Sequence, residues 1–160
     1  MKNISKRLLK EKKENEKPGD HFYIQPLPND YYTWHFTFLG FKKTPYKDGI
    51  YHGKIVLPKN YPISPPDIYY LNQSGRYEVN KKICLTITSY HKEQWTPAWN
   101  MRTVMEAITA FFYTEGSGIG YMKGTPKERQ AFAIKSRDYK CTECGKVTEI
   151  EKLILNHQKK

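Results

Sequence analysis

The chain has 160 residues, of which 38% are hydrophobic and 14% aromatic, and its formal net charge is +11 at pH 7. This length suits one compact domain, and no apolar stretch approaches the roughly 20 residues of a transmembrane helix. Three cysteines are too few and too unevenly spaced for a disulfide framework. We therefore expect one globular domain of the cytosol or nucleus, with no signal peptide or membrane span.

The N-terminal segment predicts one short basic helix. Ile4, Leu8 and Leu9 have a helical spacing among basic side chains, and a Pro-Gly pair ends the segment. Residues 1–17 carry seven basic and three acidic side chains, and residues 151–160 carry three and one. More than half of the excess charge therefore lies in two terminal segments, which favours solvated tails over a nucleic-acid-binding arm.

The next four segments have the alternation of apolar side chains that is typical of β-strands. They are HFYIQPL, YTWHFTFLGF, IYHGKIVLP and DIYYL, and turn-forming prolines, glycines and asparagines separate them. No helical segment of crossover length lies between them, which excludes parallel pairing. The sequence therefore predicts an α+β fold, in which a four-stranded antiparallel meander follows the first helix.

A proline-rich turn and an irregular segment come after the predicted strands. The run PISPP at 62–66 cannot form a central strand, and it predicts a rigid turn with Ile63 either exposed for a protein partner or tucked inward. Between Arg76 and Trp99 the chain has no sustained period. A segment of this length inside a compact domain suggests a functional role.

Two further helices are predicted in the last third of the chain. From Asn100, a plausible N-cap, apolar side chains recur at helical spacing until Gly116 stops the pattern. This segment should be the central buried helix. Thr125 and Glu128 have the spacing of a capping box with Pro126 at the first helical position, so a third helix should begin there.

Cys84 stands within the irregular segment, in the sequence KKICLTI. A thiol attacks as its thiolate, and the ammonium groups of Lys81 and Lys82 would favour that anion. The alternative interpretation is an inert cysteine buried in an apolar strand. His91, seven residues further on, is either a proton acceptor or an ordinary structural histidine.

Cys141 and Cys144 form a CxxC motif followed by glycine, which is the shape of half a zinc site. A four-ligand site would also need Cys84, a distant histidine, a carboxylate or a second chain. We therefore expect ordinary thiols and assign no metal ligands, with a redox pair as a further alternative. The histidines of the strand segments, His35 and His52 among them, receive no chemical role.

The order of helix, meander, proline-rich turn, cysteine-containing segment and buried helix resembles the ubiquitin-conjugating (UBC) fold. The motifs that carry the resemblance are TWHFTFLGF, GIYHGKIVLPKNYPISPP, GRYEVNKKICLTIT and HKEQWTPAWNMRTV. The last three look like the J class, the tail-anchored enzymes of endoplasmic-reticulum-associated degradation. The resemblance implies an N-terminal helix, a four-stranded antiparallel meander, an active-site loop, a central helix and a C-terminal helix. We expect a catalytic domain at 1–150 and a basic tail at 151–160. Since J-class chains usually end in a linker and membrane anchor, this sequence is either truncated before them, which we favour, or belongs to an anchorless protein.

The resemblance further implies a ubiquitin-conjugating enzyme. Cys84 would receive ubiquitin as a thioester from the activating enzyme and surrender it, with a RING-type ligase, to lysine or hydroxyl groups of protein substrates, with His91 as a candidate base. No bound cofactor or metal is expected, since the activating enzyme uses the ATP. No nucleic acid is expected as a partner, and membrane contact would need an anchor that this chain lacks. The expected location is the cytoplasm, at the cytosolic face of the endoplasmic reticulum if the full-length chain is tail-anchored.

Two surfaces follow from the same resemblance. The basic side chains of the first helix match the surface that meets an acidic groove of the activating enzyme, and they are Lys6, Arg7 and Lys10. The two loops that dock RING-type ligases in this family carry Ile63, Pro97 and Ala98.

The stretch before Cys84 departs from the family pattern. Most members carry His-Pro-Asn there, and the J class keeps an Asn before Gly-Arg, whereas this chain has Ser74 at the Asn position. A hydroxyl lacks the second donor of an amide. Ser74 and nearby Asn72 are therefore candidates for supporting the loop or stabilising the oxyanion of the tetrahedral intermediate. Two alternatives stay open: a catalytically silent UBC-fold module that binds ubiquitin or a ligase, and a basic nucleic-acid-binding domain.

Overall fold

A computed structural model of the chain describes residues 5–85, 88, 93–114, 116 and 118–160. Within these residues the fold has four α-helices and six β-strands. In chain order they are α1 (Lys6–Glu14), β1 (Phe22–Leu27), β2 (Asp30–Leu39), β3 (Ile50–Val56), β4 (Asp67–Tyr70), α2 (Met101–Tyr113), α3 (Pro126–Ser136), β5 (Lys140–Cys141), β6 (Gly145–Lys146) and α4 (Val147–Gln158).

Strands β1 to β4 form one antiparallel sheet in sequence order, which confirms the predicted meander. Because successive side chains of a strand point to opposite faces, β2 contributes to both sides of the sheet. Trp34, Phe36 and Phe38 lie in the hydrophobic core, and the intervening His35 and Thr37 are also buried. Both faces of the sheet are therefore covered.

Helix α2 packs against the aromatic face of the sheet. The ring centroids of Phe38 and Phe112 lie 5.0 Å apart in an edge-to-face arrangement, and such burial stabilises the fold by about 2 kcal/mol per side chain. Asn100 caps α2 in a capping box with Thr103, as the sequence predicts for the N-cap. The helix ends at Tyr113, before the glycine that was expected to stop it.

Helix α4 packs against strands β1 to β3 and contacts the β5–β6 ribbon. The sequence did not predict either the helix or the ribbon. α4 contacts β1, β2 and β3, and its residues Val147, Ile150 and Ile154 are buried. These residues recur at the three- and four-residue spacing of an apolar helical stripe. The domain boundary placed after residue 150 therefore falls inside a helix, and residues 151–158 belong to the folded unit instead of a solvated tail.

Helix α3 begins at Pro126 with the predicted capping box of Thr125 and Glu128. Among the described residues, no helix has both the length and the apolar character needed to cross a membrane.

Candidate functional site

Cys84 lies on a segment that is held from two sides by backbone hydrogen bonds. The amide of Ile83 donates to the carbonyl oxygen of Ile68 in β4, and the amide of Cys84 donates to that of Ile119, each over 3.0 Å. Ile83 and Leu85 are buried, whereas Cys84 is only half-buried. The apolar neighbours therefore anchor the segment while the thiol stays accessible, which argues against an inert core cysteine.

The loop that accepts the Cys84 amide is itself tied to the segment before Cys84. The amide of Glu78 donates to Gly120 over 2.7 Å, and the amide of Met122 donates to Arg76 over 2.9 Å. Gly120 has a φ of 90°, and a Cβ there would stand 2.8 Å from Cγ2 of Ile83. Only glycine allows the loop to approach the Cys84 segment this closely.

The two lysines before Cys84 each contact a carboxylate. Nζ of Lys81 lies 3.0 Å from Glu78, and Nζ of Lys82 lies 3.5 Å from Asp67. A neighbouring carboxylate offsets part of the positive charge that each ammonium group presents. Stabilisation of a Cys84 thiolate by these lysines stays a prediction.

Ser74 supports the turn that precedes the Cys84 segment. Its side chain is fully buried, and its hydroxyl oxygen accepts hydrogen bonds from the amides of Arg76 at 3.1 Å and Tyr77 at 3.2 Å. Gly75, between Ser74 and Arg76, has a φ of 74°, in the left-handed region that favours glycine. The hydroxyl therefore satisfies two amides of a tight turn, as hydroxyl side chains do in turns.

Asn72 is a buried crosslink between β3 and the end of α3. Its Oδ1 accepts from the amide of His52 at 2.9 Å, and its Nδ2 donates to the carbonyl oxygens of Ile50 at 2.8 Å and Ser136 at 3.4 Å. Both amide hydrogens therefore have an acceptor within the fold. Of the two roles open to Asn72, this geometry favours loop support.

Arg76 is a structural residue of the site that the sequence did not reveal. Its side chain is 1% exposed, and its guanidinium donates to the carbonyl oxygens of Phe111 and Phe112, each over 3.1 Å. The same group lies 4.8 Å from the ring centroid of Tyr77 and 5.0 Å from that of Tyr121. A cation at these carbonyls also complements the dipole of α2. Arg76 thus joins the end of α2 to the loop beside Cys84.

His91 lies outside the described residues, together with 86, 87, 89, 90 and 92. Its candidate role as a base therefore stays a prediction. The described residue between these gaps, Thr88, is buried and donates from Oγ1 to the carbonyl oxygen of Leu85 over 2.9 Å.

The predicted activating-enzyme surface divides into exposed and internally bonded residues. Lys6 and Lys10 are exposed, and Nζ of Lys10 lies 3.8 Å from Glu14. Arg7 is half-buried, with Nε 2.9 Å from Glu11 and Nη2 donating to the carbonyl oxygen of Trp99 over 2.7 Å. Lys6 and Lys10 are therefore available to a partner, whereas Arg7 fixes α1 to the loop before α2.

Glu11 is the centre of that connection. Its buried carboxylate accepts from the hydroxyl of Tyr61 and from the amide of Met101, each over 2.6 Å, in addition to Arg7. Burial, with the nearby Glu11 charge, raises the pKa of Tyr61 and keeps its phenol protonated. The carboxylate also faces the first turn of α2, where negative charge is favourable.

The predicted ligase surface lies on two loops that Trp95 connects. Ile63 is 67% exposed, which confirms the outward orientation and excludes the tucked-in one, and Pro97 and Ala98 are also exposed. Nε1 of Trp95 donates to the carbonyl oxygen of Pro62 over 2.8 Å, and its ring stacks on that of Trp99. Trp95 therefore joins the two loops, and each loop exposes apolar side chains.

The fold agrees with the comparisons to known proteins. Residues 7–119 match the profile of the family described as ubiquitin-conjugating enzyme. A Toxoplasma gondii ubiquitin-conjugating enzyme E2 domain aligns with a TM-score of 0.60 over 95% of this chain and 92% of that chain, at 22% identity. This last likeness concerns the fold alone. The chain belongs to the ubiquitin-conjugating enzyme family and has the UBC fold.

Sequence relatives narrow this assignment. Human ubiquitin-conjugating enzyme E2 J1 is 48% identical over 141 residues, which are 88% of this chain and 44% of the relative. Arabidopsis thaliana ubiquitin-conjugating enzyme E2 32 is 43% identical over 135 residues, or 83% of this chain and 44% of the relative. Within its family the chain belongs to the J class. It spans less than half the length of these curated relatives.

Proposed function

We propose that this chain is the catalytic domain of a ubiquitin-conjugating enzyme in which Cys84 carries ubiquitin as a thioester. The observation that supports the proposal best is the half-buried Cys84 thiol on a backbone bonded to both β4 and the loop at 118–122. A nucleophile on a fixed backbone loses little freedom when it meets a large acyl donor. Membership of the family supplies the identity of that donor.

The chemistry consists of two acyl transfers. In the first, the Cys84 thiolate attacks the thioester carbonyl that joins ubiquitin to the activating enzyme, and that enzyme's cysteine leaves as a thiolate. In the second, an amine or hydroxyl of the substrate attacks the new thioester, loses its proton to a base, and Cys84 leaves as a thiolate. His91 is the candidate base of this second step. Neither step needs a bound cofactor or metal, because the activating enzyme consumes the ATP.

Ser74, Asn72 and Arg76 act as positioning residues in this proposal. The two hydrogens of the Asn72 amide already bond to the fold, and the Ser74 hydroxyl, which accepts from two turn amides, is fully buried and out of reach of a bound thioester. An oxyanion donor must have a hydrogen directed at the developing charge. We therefore assign these residues to the shape of the loop and not to direct stabilisation of the tetrahedral intermediate.

The proposed partners are ubiquitin, the ubiquitin-activating enzyme, a RING-type ligase and protein substrates, without nucleic acid. The exposed Lys6 and Lys10 suit an acidic groove of the activating enzyme, where charge complementarity raises the association rate. The exposed Ile63, Pro97 and Ala98 suit an apolar ligase surface. Because the chain belongs to the J class, we place the activity in endoplasmic-reticulum-associated degradation, in the cytoplasm, at the cytosolic face of the endoplasmic reticulum if the full-length chain carries a tail anchor.

A charging assay tests this function. The chain is incubated with activating enzyme, ubiquitin and ATP, and denaturing gels are run with and without reducing agent. We expect a ubiquitin-sized shift that thiol removes, and a thiol-resistant shift for Cys84→Ser, whose hydroxyl would form an oxyester. Cys144→Ser is the matched control and should keep the thiol-sensitive shift. An unshifted wild type with several activating enzymes would instead favour the catalytically silent module, and ubiquitin and RING-domain titrations would follow.

A further inference from the structure

Four side chains that the proposed reaction does not use meet on the side of the sheet away from the aromatic core. They are His35 of β2, His52 of β3, Cys141 of β5 and Cys144, which lies in the turn between β5 and β6. One ligand atom from each lies within 4.8 Å of all the others, and three of the four residues are buried. Two imidazoles and two thiols are a common donor set for zinc in proteins.

The distances within the cluster have the scale of a tetrahedral zinc site. Nδ1 of His35 lies 3.5 Å from Sγ of Cys141, 3.4 Å from Sγ of Cys144 and 3.3 Å from Nε2 of His52. Zinc bonded to imidazole nitrogen and thiolate sulfur at tetrahedral angles places its ligands about 3.3 Å apart for two nitrogens and about 3.6 Å apart for nitrogen and sulfur. The four side chains therefore already stand close to the positions that the ion requires.

The sheet fixes the two histidines, and one of them has a supporting hydrogen bond. His52 pairs directly with Thr37 in the register of β2 and β3, and Nδ1 of His52 lies 2.8 Å from Oγ1 of Thr37. In the tautomer that donates this bond, Nε2 presents its lone pair to the cluster. Support of this kind at the second ring nitrogen is typical of histidine metal ligands.

The ribbon supplies the two thiols in a compact arrangement. Cys141 pairs with Gly145 across β5 and β6, and Gly145 has a φ of 85°, which favours glycine at the end of the CxxC turn. A cavity of about 330 Å³ adjoins the cluster, with His35, His52 and Cys144 in its lining.

We propose that His35, His52, Cys141 and Cys144 form a structural zinc site that fastens the β5–β6 ribbon and α4 to the sheet. All four positions of a tetrahedral ion would be filled by protein, which is the arrangement of structural and not catalytic zinc. The proposal reverses the assignment of ordinary thiols made from the sequence. It is independent of thioester formation at Cys84 and stands whether or not the chain transfers ubiquitin.

Metal analysis of the whole purified chain is the first test. The protein is produced with zinc present, passed through a desalting column and measured by elemental mass spectrometry, and we expect one zinc per chain. Cobalt(II) exchanged into the site should give the visible bands of tetrahedral cobalt and a thiolate-to-cobalt band in the near ultraviolet. Zinc below a tenth of an equivalent, together with cobalt spectra of octahedral type, would overturn the proposal.

Matched substitutions locate the metal. Cys144→Ser should lower the zinc content at least tenfold and remove the thiolate-to-cobalt band, whereas Cys84→Ser and His157→Ala, outside the cluster, should retain both. Equal zinc in Cys144→Ser and wild type would refute the assignment, as would a Cys141–Cys144 disulfide in protein kept under reducing buffer.

A measurement on the unaltered chain covers the case in which a cluster variant fails to fold. A strong chelator should lower the melting temperature of the wild type, and added zinc should restore it. Far-ultraviolet circular dichroism should show partial loss of helix on chelation, since α4 follows the ribbon directly. A melting temperature that chelator leaves unchanged, in protein shown to have lost its metal, would contradict a structural role.

Discussion

The two thiol regions of this molecule are built in opposite ways. Cys84 is half-buried on a segment whose backbone is hydrogen-bonded on two sides, and its neighbours Ile83 and Leu85 are buried in the core. The thiols of Cys141 and Cys144 lie 3.5 and 3.4 Å from Nδ1 of the buried His35 and within 4.8 Å of a ring nitrogen of the buried His52. The comparison contrasts a thiol that stays accessible with two thiols whose geometry suits a buried ion.

Removal of the thiol from each region should have opposite effects on ubiquitin charging, and this is the largest difference that we expect. Cys84→Ala should reduce ubiquitin thioester formation below detection, because the reaction loses its nucleophile. Cys144→Ser should charge at a rate within about twofold of wild type, since Cys144 takes no part in the backbone hydrogen bonds that hold the Cys84 segment. The rate of charging of both variants is measured on non-reducing gels. Loss of charging in Cys144→Ser with a folded spectrum would break the comparison.

Ile154→Ala tests the α4 side of the sheet. Ile154 is fully buried against that side, and its truncation should lower the free energy of unfolding by about 3 kcal/mol through lost burial and a residual cavity. Urea denaturation measures the change. The neighbouring exposed Leu153→Ala is the control and should change stability by less than about 0.5 kcal/mol. Charging by folded Ile154→Ala should match wild type; a large decrease would show that α4 and Cys84 are coupled.

Arg76→Lys tests the support of the Cys84 loop. Lysine keeps the charge but cannot reach several carbonyl oxygens with a planar fork, so we expect a loss of about 2 kcal/mol in unfolding free energy. Charging should slow as well, because the loop at 118–122 loses the contact between the Arg76 guanidinium and the ring of Tyr121. Arg102→Lys is the control, because the Arg102 guanidinium donates only an exposed hydrogen bond, to the carbonyl oxygen of Glu14. Unchanged charging in folded Arg76→Lys would remove its positioning role.

Ser74→Ala should have the smallest effect of the series. It leaves two buried turn amides without their acceptor, which should cost about 1 kcal/mol in unfolding free energy. Ser64→Ala provides a control, since Ser64 accepts only an exposed hydrogen bond from Asn60. A stability like that of wild type in Ser74→Ala would exclude the proposed turn support.

The part of the fold and site that local patterns encode could be predicted from the sequence. Alternation in YTWHFTFLGF indicated β2, and the capping residues Asn100 and Thr125 marked the starts of α2 and α3. Cys84 and Ile63 also stand in contiguous motifs, so both residues could be singled out from the sequence around them.

The rest depends on contacts between distant residues. His35 is 106 positions from Cys141 and 109 from Cys144, so only the folded sheet brings a histidine to the CxxC motif. Arg76 caps a helix that ends more than 30 positions away, and nothing in the local sequence distinguishes it from a surface arginine. Helix α4 was missed because the apolar stripe of Ile150 and Ile154 lies among charged residues at the end of the chain.

The most direct test of the central claim is to map the ubiquitin attachment site in the charged wild-type chain. The charged protein is digested under acidic conditions that preserve thioesters, and mass spectrometry locates the residue that carries the C-terminal glycine of ubiquitin. The account predicts modification of Cys84, with Cys141 and Cys144 unmodified in the same molecules. A thioester on Cys141 or Cys144, with Cys84 unmodified, would contradict it.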